Sequence, residues 1–347
     1  MMKKRILIIG ILLWAGVAFA VKVVPLPQLM APDAIQANTD NLYFSDGSSV
    51  KIFSLKDFKL KKTFGKKGEG PGEFNGFILV YVMPEYIFIN SPGKVSYFTL
   101  EGEFIREKRA KHPFGRFKTF GETDFVGYGY TNEGKTRYEA IYIYDSDFKR
   151  VKELYRRKYF VQRDSDINLI EERPPFFYTV KDRVYLDGID NNAGVIYVFD
   201  KTGKKIDAVR CPFEPIPFTQ EHIKKSINRF KRNPDTRRYY EQVKHRLVFP
   251  DYFPPIRMFH VDDNKIYLMT YKEKDGKNEF IVLDMKGKEL NRLFIPVAPF
   301  DEATVLITYT ICNGKLYHLK DNEETEEWEV HIHNIAPAAR GTILHGP

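Results

Sequence analysis

The chain has 347 residues, 29% charged and 43% hydrophobic, with a formal net charge of +8. That balance excludes a disordered chain, which lacks the apolar groups needed to form a core. Only two cysteines are present, Cys211 and Cys312. This excludes a disulfide-framed scaffold, and neither lies in a nucleophile motif, so two separate thiols are expected.

Lys3, Lys4 and Arg5 open the chain, Ile6 to Phe19 is almost wholly apolar, and Ala18-Phe19-Ala20 is a small-residue cleavage site. This order of charge, apolar run and small residues predicts a secretory signal peptide over residues 1–20. The apolar run is shorter than the about 20 residues that span a bilayer, so an uncleaved anchor is the weaker alternative. No later stretch is long and apolar enough to cross a membrane. The expected location is periplasmic or secreted, with residues 21–347 forming one domain. Aromatic residues reach 15% of the chain, which favours strands, where flat side chains pack well on a pleated surface.

A unit of two alternating strands then recurs six times: Asn41 to Ser54, Glu85 to Thr99, Asp124 to Asp145, Arg183 to Asp200, Lys265 to Asp284 and Lys315 to Asn334. The residue opening the next tight turn is Ser54, Thr99, Asp145, Asp200, Asp284 or Asn334. Short polar side chains suit that place because they hydrogen-bond the turn backbone. In Asp200-Lys-Thr-Gly-Lys and Asp284-Met-Lys-Gly-Lys the glycine supplies the positive φ of a tight hairpin. Repeats of 40–50 residues with several strands each indicate propeller blades.

Each blade also needs an innermost strand. Candidates are Ala34 to Asn38, Phe77 to Val82, Phe117 to Gly121, Phe176 to Val180, Ile256 to Val261 and Thr304 to Thr310. The sixth blade lacks an outer strand after Asn334, and Val21 to Leu26 is a spare strand at the other end. The fold class expected is all-β: a six-bladed β-propeller of four-stranded blades, closed by that N-terminal strand, which leaves no unpaired edge between first and last blades.

Asn41 to Ser54, Arg183 to Asp200 and the run Phe64-Gly-Lys-Lys-Gly-Glu-Gly-Pro-Gly-Glu-Phe74 resemble the NHL-repeat-like six-bladed propellers of exported bacterial proteins. The Gly-Pro-Gly-Glu-Phe ending is the most specific element. The chain departs from that pattern after Cys211 and in inner strands that lack a recurring Pro-x-Gly-Ile start. The resemblance implies the fold; such propellers serve as binding platforms and, in related groups, as hydrolases or lyases.

An insertion of about 212–255 separates blades four and five. Thr219 to Arg232 reads as a helix, with Ile223, Ile227 and Phe230 on one stripe. Asn233-Pro234-Asp235 breaks it, and Thr236 to Leu247 reads as a second helix, giving a helical hairpin. Thr219 to Leu247 carries nine basic and three acidic residues. The rest of the chain after residue 20 is close to neutral, so the basic character lives in this insertion.

Gly65 to Gly72 lacks the Gly-Lys-Ser/Thr ending of a phosphate loop and reads as a crossover between blades. His331 and His333 share a strand face but lack further zinc ligands, so ordinary strand histidines are expected. Asp40, Asp46, Asn90, Asp190 and Asp262 sit near strand ends, as calcium ligands of channel lactonases do, but also where plain turns place them. No metal, no other cofactor and no catalytic residue is assigned. Two long links, Arg156 to Pro175 and Cys211 to Pro255, flank blade four and emerge on one face. Arg173, Tyr178, Tyr252 and Arg257 on or beside them, with Arg229, Arg232 and Arg237 on the insertion, are the candidate binding residues. They either recognise a partner or fasten the insertion to the ring. The expected function is an exported, non-catalytic binding module for a protein or an anionic glycan or lipid surface. The alternative is a lactonase-like hydrolase or lyase with its site at the channel mouth. Nucleic acid is not expected as a partner.

Overall fold

Six four-stranded antiparallel sheets form the blades, five of them from consecutive strands ordered from the inside outward and the sixth from both ends of the described chain. The computed structural model describes residues 21–109, 117–134, 136–158, 166–168, 175–188, 193–297 and 308–336. Blade 1 is Pro32–Ala37, Asn41–Asp46, Ser49–Ser54 and Leu60–Phe64; blade 2 is Leu79–Val82, Ile87–Ser91, Lys94–Phe98 and Phe104–Arg109. Blade 3 is Phe117–Phe120, Asp124–Glu133, Thr136–Tyr144 and Arg150–Lys158; blade 4 is Phe177–Val180, Arg183–Leu186, Val195–Phe199 and Lys205–Arg210. Blade 5 is Met258–Asp262, Lys265–Lys274, Lys277–Asp284 and Glu289–Ile295. Blade 6 takes Tyr309–Cys312, Lys315–Asn322 and Glu327–Asn334 from one end of the ring and Lys22–Pro25 from the other. The six strand pairs expected at the middle of each blade are all present. The described part of the inner strand of blade 6 is Tyr309–Cys312; residues 304–307 lie outside the described residues, as do the signal segment 1–20 and the tail 337–347.

Closure is as the missing sixth outer strand required. Lys22–Pro25 runs antiparallel to Glu327–Asn334, with Lys22 opposite Ile332 and Pro25 opposite Glu329. The Leu26 N–H donates to the Trp328 carbonyl at 2.7 Å, and the Leu26 side chain is fully buried. The chain then passes to blade 1 through a turn held by Asp46, whose carboxylate accepts the Ala31 N–H at 2.6 Å and pairs with Lys51. Asp46 therefore fixes the link between the closing strand and the first blade.

The core is divided into six separate apolar clusters, one at each interface between neighbouring blades. Successive side chains of a strand point to opposite faces of its sheet. Leu42 and Phe44 accordingly pack against blade 6 while Tyr43 between them packs against blade 2. A middle strand buried on both faces is apolar at nearly every position, and the whole of Asn41–Asp46 is buried. Outer strands are the opposite case: Phe104–Arg109 is almost wholly exposed and carries three basic residues. Charge on such unpaired edges discourages strand addition by a second chain. Basic residues there also lie over tyrosines of the adjacent strand, as Arg106 does over Tyr97 at 4.5 Å and Arg150 over Tyr142 at 4.5 Å.

The turns before the outer strands follow the polar-residue rule. Asp145, Asp200 and Asp284 each accept two backbone N–H groups on one carboxylate oxygen, two and four residues further on. Gly203 and Gly287 supply φ of 76° and 85°. In blades 1 and 3 a phenylalanine occupies the left-handed position instead, Phe58 and Phe148, both at φ 58°. Phe148 is buried against Phe125, ring centroids 4.6 Å apart, so core packing offsets its strain. Phe58 is only half-buried.

The insertion leaves blade 4 after Arg210. Its first arm is a continuous helix, Gln220–Arg232, preceded by Thr219, whose N–H donates to His222 Nδ1 at 3.0 Å. The second arm is a chain of single turns, Pro234–Arg237, Tyr240–Val243 and Lys244–Arg246, rather than one helix from Thr236. Thr236, Tyr239, Tyr240 and Val243 are β-branched or aromatic residues of weak helix propensity, which explains the interruption.

Candidate functional site

In a ring of four-stranded antiparallel blades, links from an outer strand to the next inner strand all emerge on one face. The turns from first to second and from third to fourth strand emerge on the other. The insertion and the residues after blade 3 are both such links. The structure brings them together: Ile167–Asn168 pairs in parallel with Leu247–Val248. Arg173, on the first of these links, lies outside the described residues.

An aromatic cluster roots the insertion on blade 5. Phe218 packs against Phe253 at 4.7 Å and Phe249 at 5.9 Å, and Phe253 stacks on Tyr271 at 4.5 Å. The backbone is tied across the same base, the Phe218 N–H donating to the Asp251 carbonyl at 2.8 Å and the Phe253 N–H to the Ile216 carbonyl at 2.9 Å. Arg257 belongs to this root. Its guanidinium lies over Tyr271 at 5.1 Å and donates to Asn278 Oδ1 at 3.0 Å. Tyr252 is different: 54% of it is exposed beside the root.

Above the root, the helix Gln220–Arg232 buries no residue. Ile223, Ile227 and Phe230 are half-buried, and Lys224, Arg229, Arg232 and Arg237 are exposed. Two of the three acids of the insertion are engaged, Glu221 by Lys225 at 2.8 Å and Glu241 by Lys244 at 2.6 Å. Lys224, Arg232 and Arg237 make no ion pair among the described residues. The arrangement is a raised positive surface with an exposed tyrosine at its foot.

Tyr178 lies elsewhere, on the inner strand of blade 4. Four successive inner strands each contribute one residue to a ladder there. Lys118 Nζ of blade 3 sits 3.6 Å from the Tyr178 ring centroid. Tyr178 packs 5.4 Å from His260 of blade 5, and His260 packs 5.2 Å from Tyr309 of blade 6. Burial, reinforced by the Lys118 charge, depresses the His260 pKa to about 3. A base that weak is neutral at physiological pH and is a poor proton acceptor in catalysis near pH 7. Burial pushes the Tyr178 and Tyr309 phenols up.

Other chemistry-bearing groups are held in structural roles. Among the described residues, no group of three His, Cys, Asp or Glu could hold a metal ion. Asp46 braces the closing turn, and Asp262 accepts the Asn313 N–H at 2.8 Å, tying blade 5 to blade 6. Asp190 lies outside the described residues. His331 pairs with Glu329 at 2.9 Å on its own strand. Cys211 and Cys312 are both free and buried, and burial pushes their thiols up to about 12 and about 11. Such thiols carry almost no thiolate, the reactive form, at neutral pH. The glycine-rich run is a crossover: Phe74 is fully buried between blades 1 and 2, and the Gly70 N–H is taken by Glu73 at 3.0 Å. No described helix is long and apolar enough to cross a membrane.

Among solved structures the chain is similar to Hsv2 of Kluyveromyces lactis, at 10% identity over 88% of this chain and 99% of that one, with a TM-score of 0.37. It is also similar to the Pan2 WD40 domain of Neurospora crassa, at 10% identity over 90% and 94% of the two chains, TM-score 0.42. A third similarity is to a protein of unknown function from Bacteroides caccae, at 8% identity over 76% and 81%, TM-score 0.40. No family model matches the chain, and no curated protein matches it.

Proposed function

We propose that this six-bladed propeller is an exported binding module that recognises an anionic partner through the basic surface of its insertion. The observation that carries the reading is the charge at Lys224, Arg232 and Arg237, unpaired among the described residues, on an insertion whose helix Gln220–Arg232 buries no residue. Ring and insertion then have separate roles: six packed interfaces supply a rigid base, and the aromatic root holds the charged arm on it. Exposed charges of one sign steer a partner over about 8 Å at physiological salt. Tyr252 supplies a flat apolar contact at close range.

Export is supported by the N-terminal charge and apolar pattern and by the position of the closing strand. Cleavage after Ala20 leaves Lys22–Pro25 whole. Expression of the full chain in a bacterial host, followed by N-terminal mass analysis, should yield an envelope or secreted form beginning at Val21. A form retained in the cytoplasm with its first 20 residues would remove export from the proposal.

The test of recognition is charge reversal at Arg229, Arg232 and Arg237. Binding to anionic vesicles, acidic glycans and envelope proteins is compared with wild type across a salt series. The variant should lose binding at low salt while melting at the wild-type temperature. Equal binding would remove the insertion as the recognition surface, and the probe that responds identifies the partner class.

A further inference from the structure

The seam where blade 6 meets blade 1 holds an open pocket of about 450 Å³ on the face opposite the insertion. Its walls come from three places in the chain. Lys22 belongs to the closing strand, Asp40, Lys56 and Phe58 to turns of blade 1, and Asn313 and Lys315 to the first turn of blade 6. We propose that this seam pocket is a binding site for an acidic sugar, a saccharide unit bearing a carboxylate or phosphate.

Charge is the first argument. Three ammonium groups line the pocket against one carboxylate, and none of the three lysines forms an ion pair among the described residues. Lys51, Lys94 and Lys108, by contrast, are matched by Asp46, Glu107 and Asp147. Three like charges around a single carboxylate leave an excess of positive charge, and a bound anion relieves their repulsion.

The backbone at Phe58 is unusual for its place in the fold. Blades 2, 4 and 5 place Gly102, Gly203 and Gly287 in the left-handed position of the corresponding turn, whereas blade 1 has Phe58 at φ 58°. A bulky residue there is strained, and such strain gathers at ligand sites. Phe148 offsets the same strain by full burial, whereas Phe58 packs one side on the seam cluster and leaves the other as a pocket wall, with Lys22 Nζ held 4.2 Å from its ring centroid. An aromatic wall presents a flat apolar face to the C–H face of a sugar. Asp40, Asn313 and Thr39 supply the groups that hydroxyls hydrogen-bond. A volume of this size holds a small ligand.

The location has a consequence. A ligand in this pocket touches the closing strand and both blades that it joins, so it binds the closed ring and not the opened one. Anything that binds only the closed form stabilises it by mass action.

The experiment uses the full exported chain with glucuronate, glucose 6-phosphate, glucose and inorganic phosphate as probes, at matched ionic strength. Titration calorimetry, melting and hydrogen exchange are followed together. One or both acidic sugars should bind saturably, raise the melting temperature, and slow exchange in Lys22–Pro25 and Glu327–Asn334 but not in blades 3 and 4. Glucose should do none of these. The double variant Lys56→Gln with Lys315→Gln should weaken binding at least tenfold. Phe58→Gly should weaken it as well, with relief of the left-handed strain set against the loss of its packing on the seam cluster in the ligand-free protein. The proposal is overturned if neither acidic sugar binds, if the double variant binds like wild type, or if inorganic phosphate binds as tightly as glucose 6-phosphate. The outcome is independent of the insertion, which lies on the other face.

Discussion

Gly287, in the last turn of blade 5, lies against the carbonyl oxygen of Arg210 on the outer strand of blade 4: a methyl group on Gly287 would stand 2.4 Å from it. The same relation recurs around the ring. A Cβ at Gly102 of blade 2 would stand 2.6 Å from Phe64 of blade 1, and one at Gly203 of blade 4 would stand 2.5 Å from Lys152 of blade 3. These glycines meet two demands together, a left-handed φ and the close approach of the neighbouring blade.

Gly276 separates the two demands. It sits in blade 5 at φ 69°, and a methyl group there would have no described atom within 4 Å. Gly276→Ala should therefore cost only the left-handed backbone penalty, about 1–2 kcal/mol. Gly287→Ala should cost a further amount of about 1–3 kcal/mol, because a backbone oxygen cannot move aside as a side-chain tip can. Urea unfolding of the two variants side by side measures the difference. Equal destabilisation would mean that the blades do not approach at Gly287 as described.

The seam is the second place where one residue decides stability. Leu26 is fully buried in the cluster shared by blades 6 and 1, directly after the closing strand. Leu26→Ala should destabilise by about 2–5 kcal/mol, the range for a buried leucine. Deleting Val21 to Leu26 should lower the melting temperature further, since it also strips the ladder from Glu327–Asn334 and exposes that edge. A deletion variant as stable as wild type would show that the ring does not depend on this strand.

The parts of this architecture written locally were legible in the sequence. The tight-turn residues Ser54, Thr99, Asp145, Asp200 and Asp284 bond their own turns, so each signals itself within a few positions. The closing strand was legible for another reason: six blades of four strands were one strand short, and Val21 to Leu26 was unassigned. What the sequence hid depends on distant partners. Arg257 stands beside the insertion like a binding residue, but its partners Tyr271 and Asn278 lie on the next hairpin. Tyr178, His260 and Tyr309 form a ladder only because three inner strands converge. The seam pocket gathers residues from positions 22 to 332 and leaves no local pattern. The second arm of the insertion kept a helical stripe in Tyr240, Val243 and Leu247, while weak helix formers between them broke it into turns.

Three buried histidines set the acid response. Burial depresses His318 to about 4, helped by the charges of His331, His333 and Lys320. Burial and His331 depress His333 to about 4, and burial with Lys118 depresses His260 to about 3. The unfolded chain takes up these protons near pH 6.5, whereas the folded chain takes them up only near pH 3 to 4. Stability contributed by the neutral forms is thus fully present above pH 6.5 and is lost as pH falls through that window. Each group adds a slope of about 1.4 kcal/mol per pH unit there. Melting temperature should fall from pH 7 to pH 5, and His318→Leu should flatten the fall, since His318 Nδ1 has no hydrogen-bond partner among the described residues. An unchanged pH slope in that variant would place the acid sensitivity in other groups.

Arg257 and Tyr252 stand at the foot of the insertion and should separate cleanly by mutation. The Arg257 side chain is 16% exposed and joins Asn278 and the Tyr271 face. Removing it leaves Asn278 Oδ1 without that donor and Tyr271 without its cation, so Arg257→Ala should destabilise the protein by about 1–3 kcal/mol. It should also loosen the insertion, seen as faster hydrogen exchange around Phe218 and Phe253. Tyr252→Ala removes a ring that is mostly in solvent, so melting should change little, while binding to the anionic partner should weaken. Parallel melting, exchange and binding measurements on the two variants decide the matter. A stable, rapidly exchanging Tyr252→Ala protein, or an Arg257→Ala protein with wild-type melting and lost binding, would exchange their roles and move the recognition surface from the raised helix down to its root.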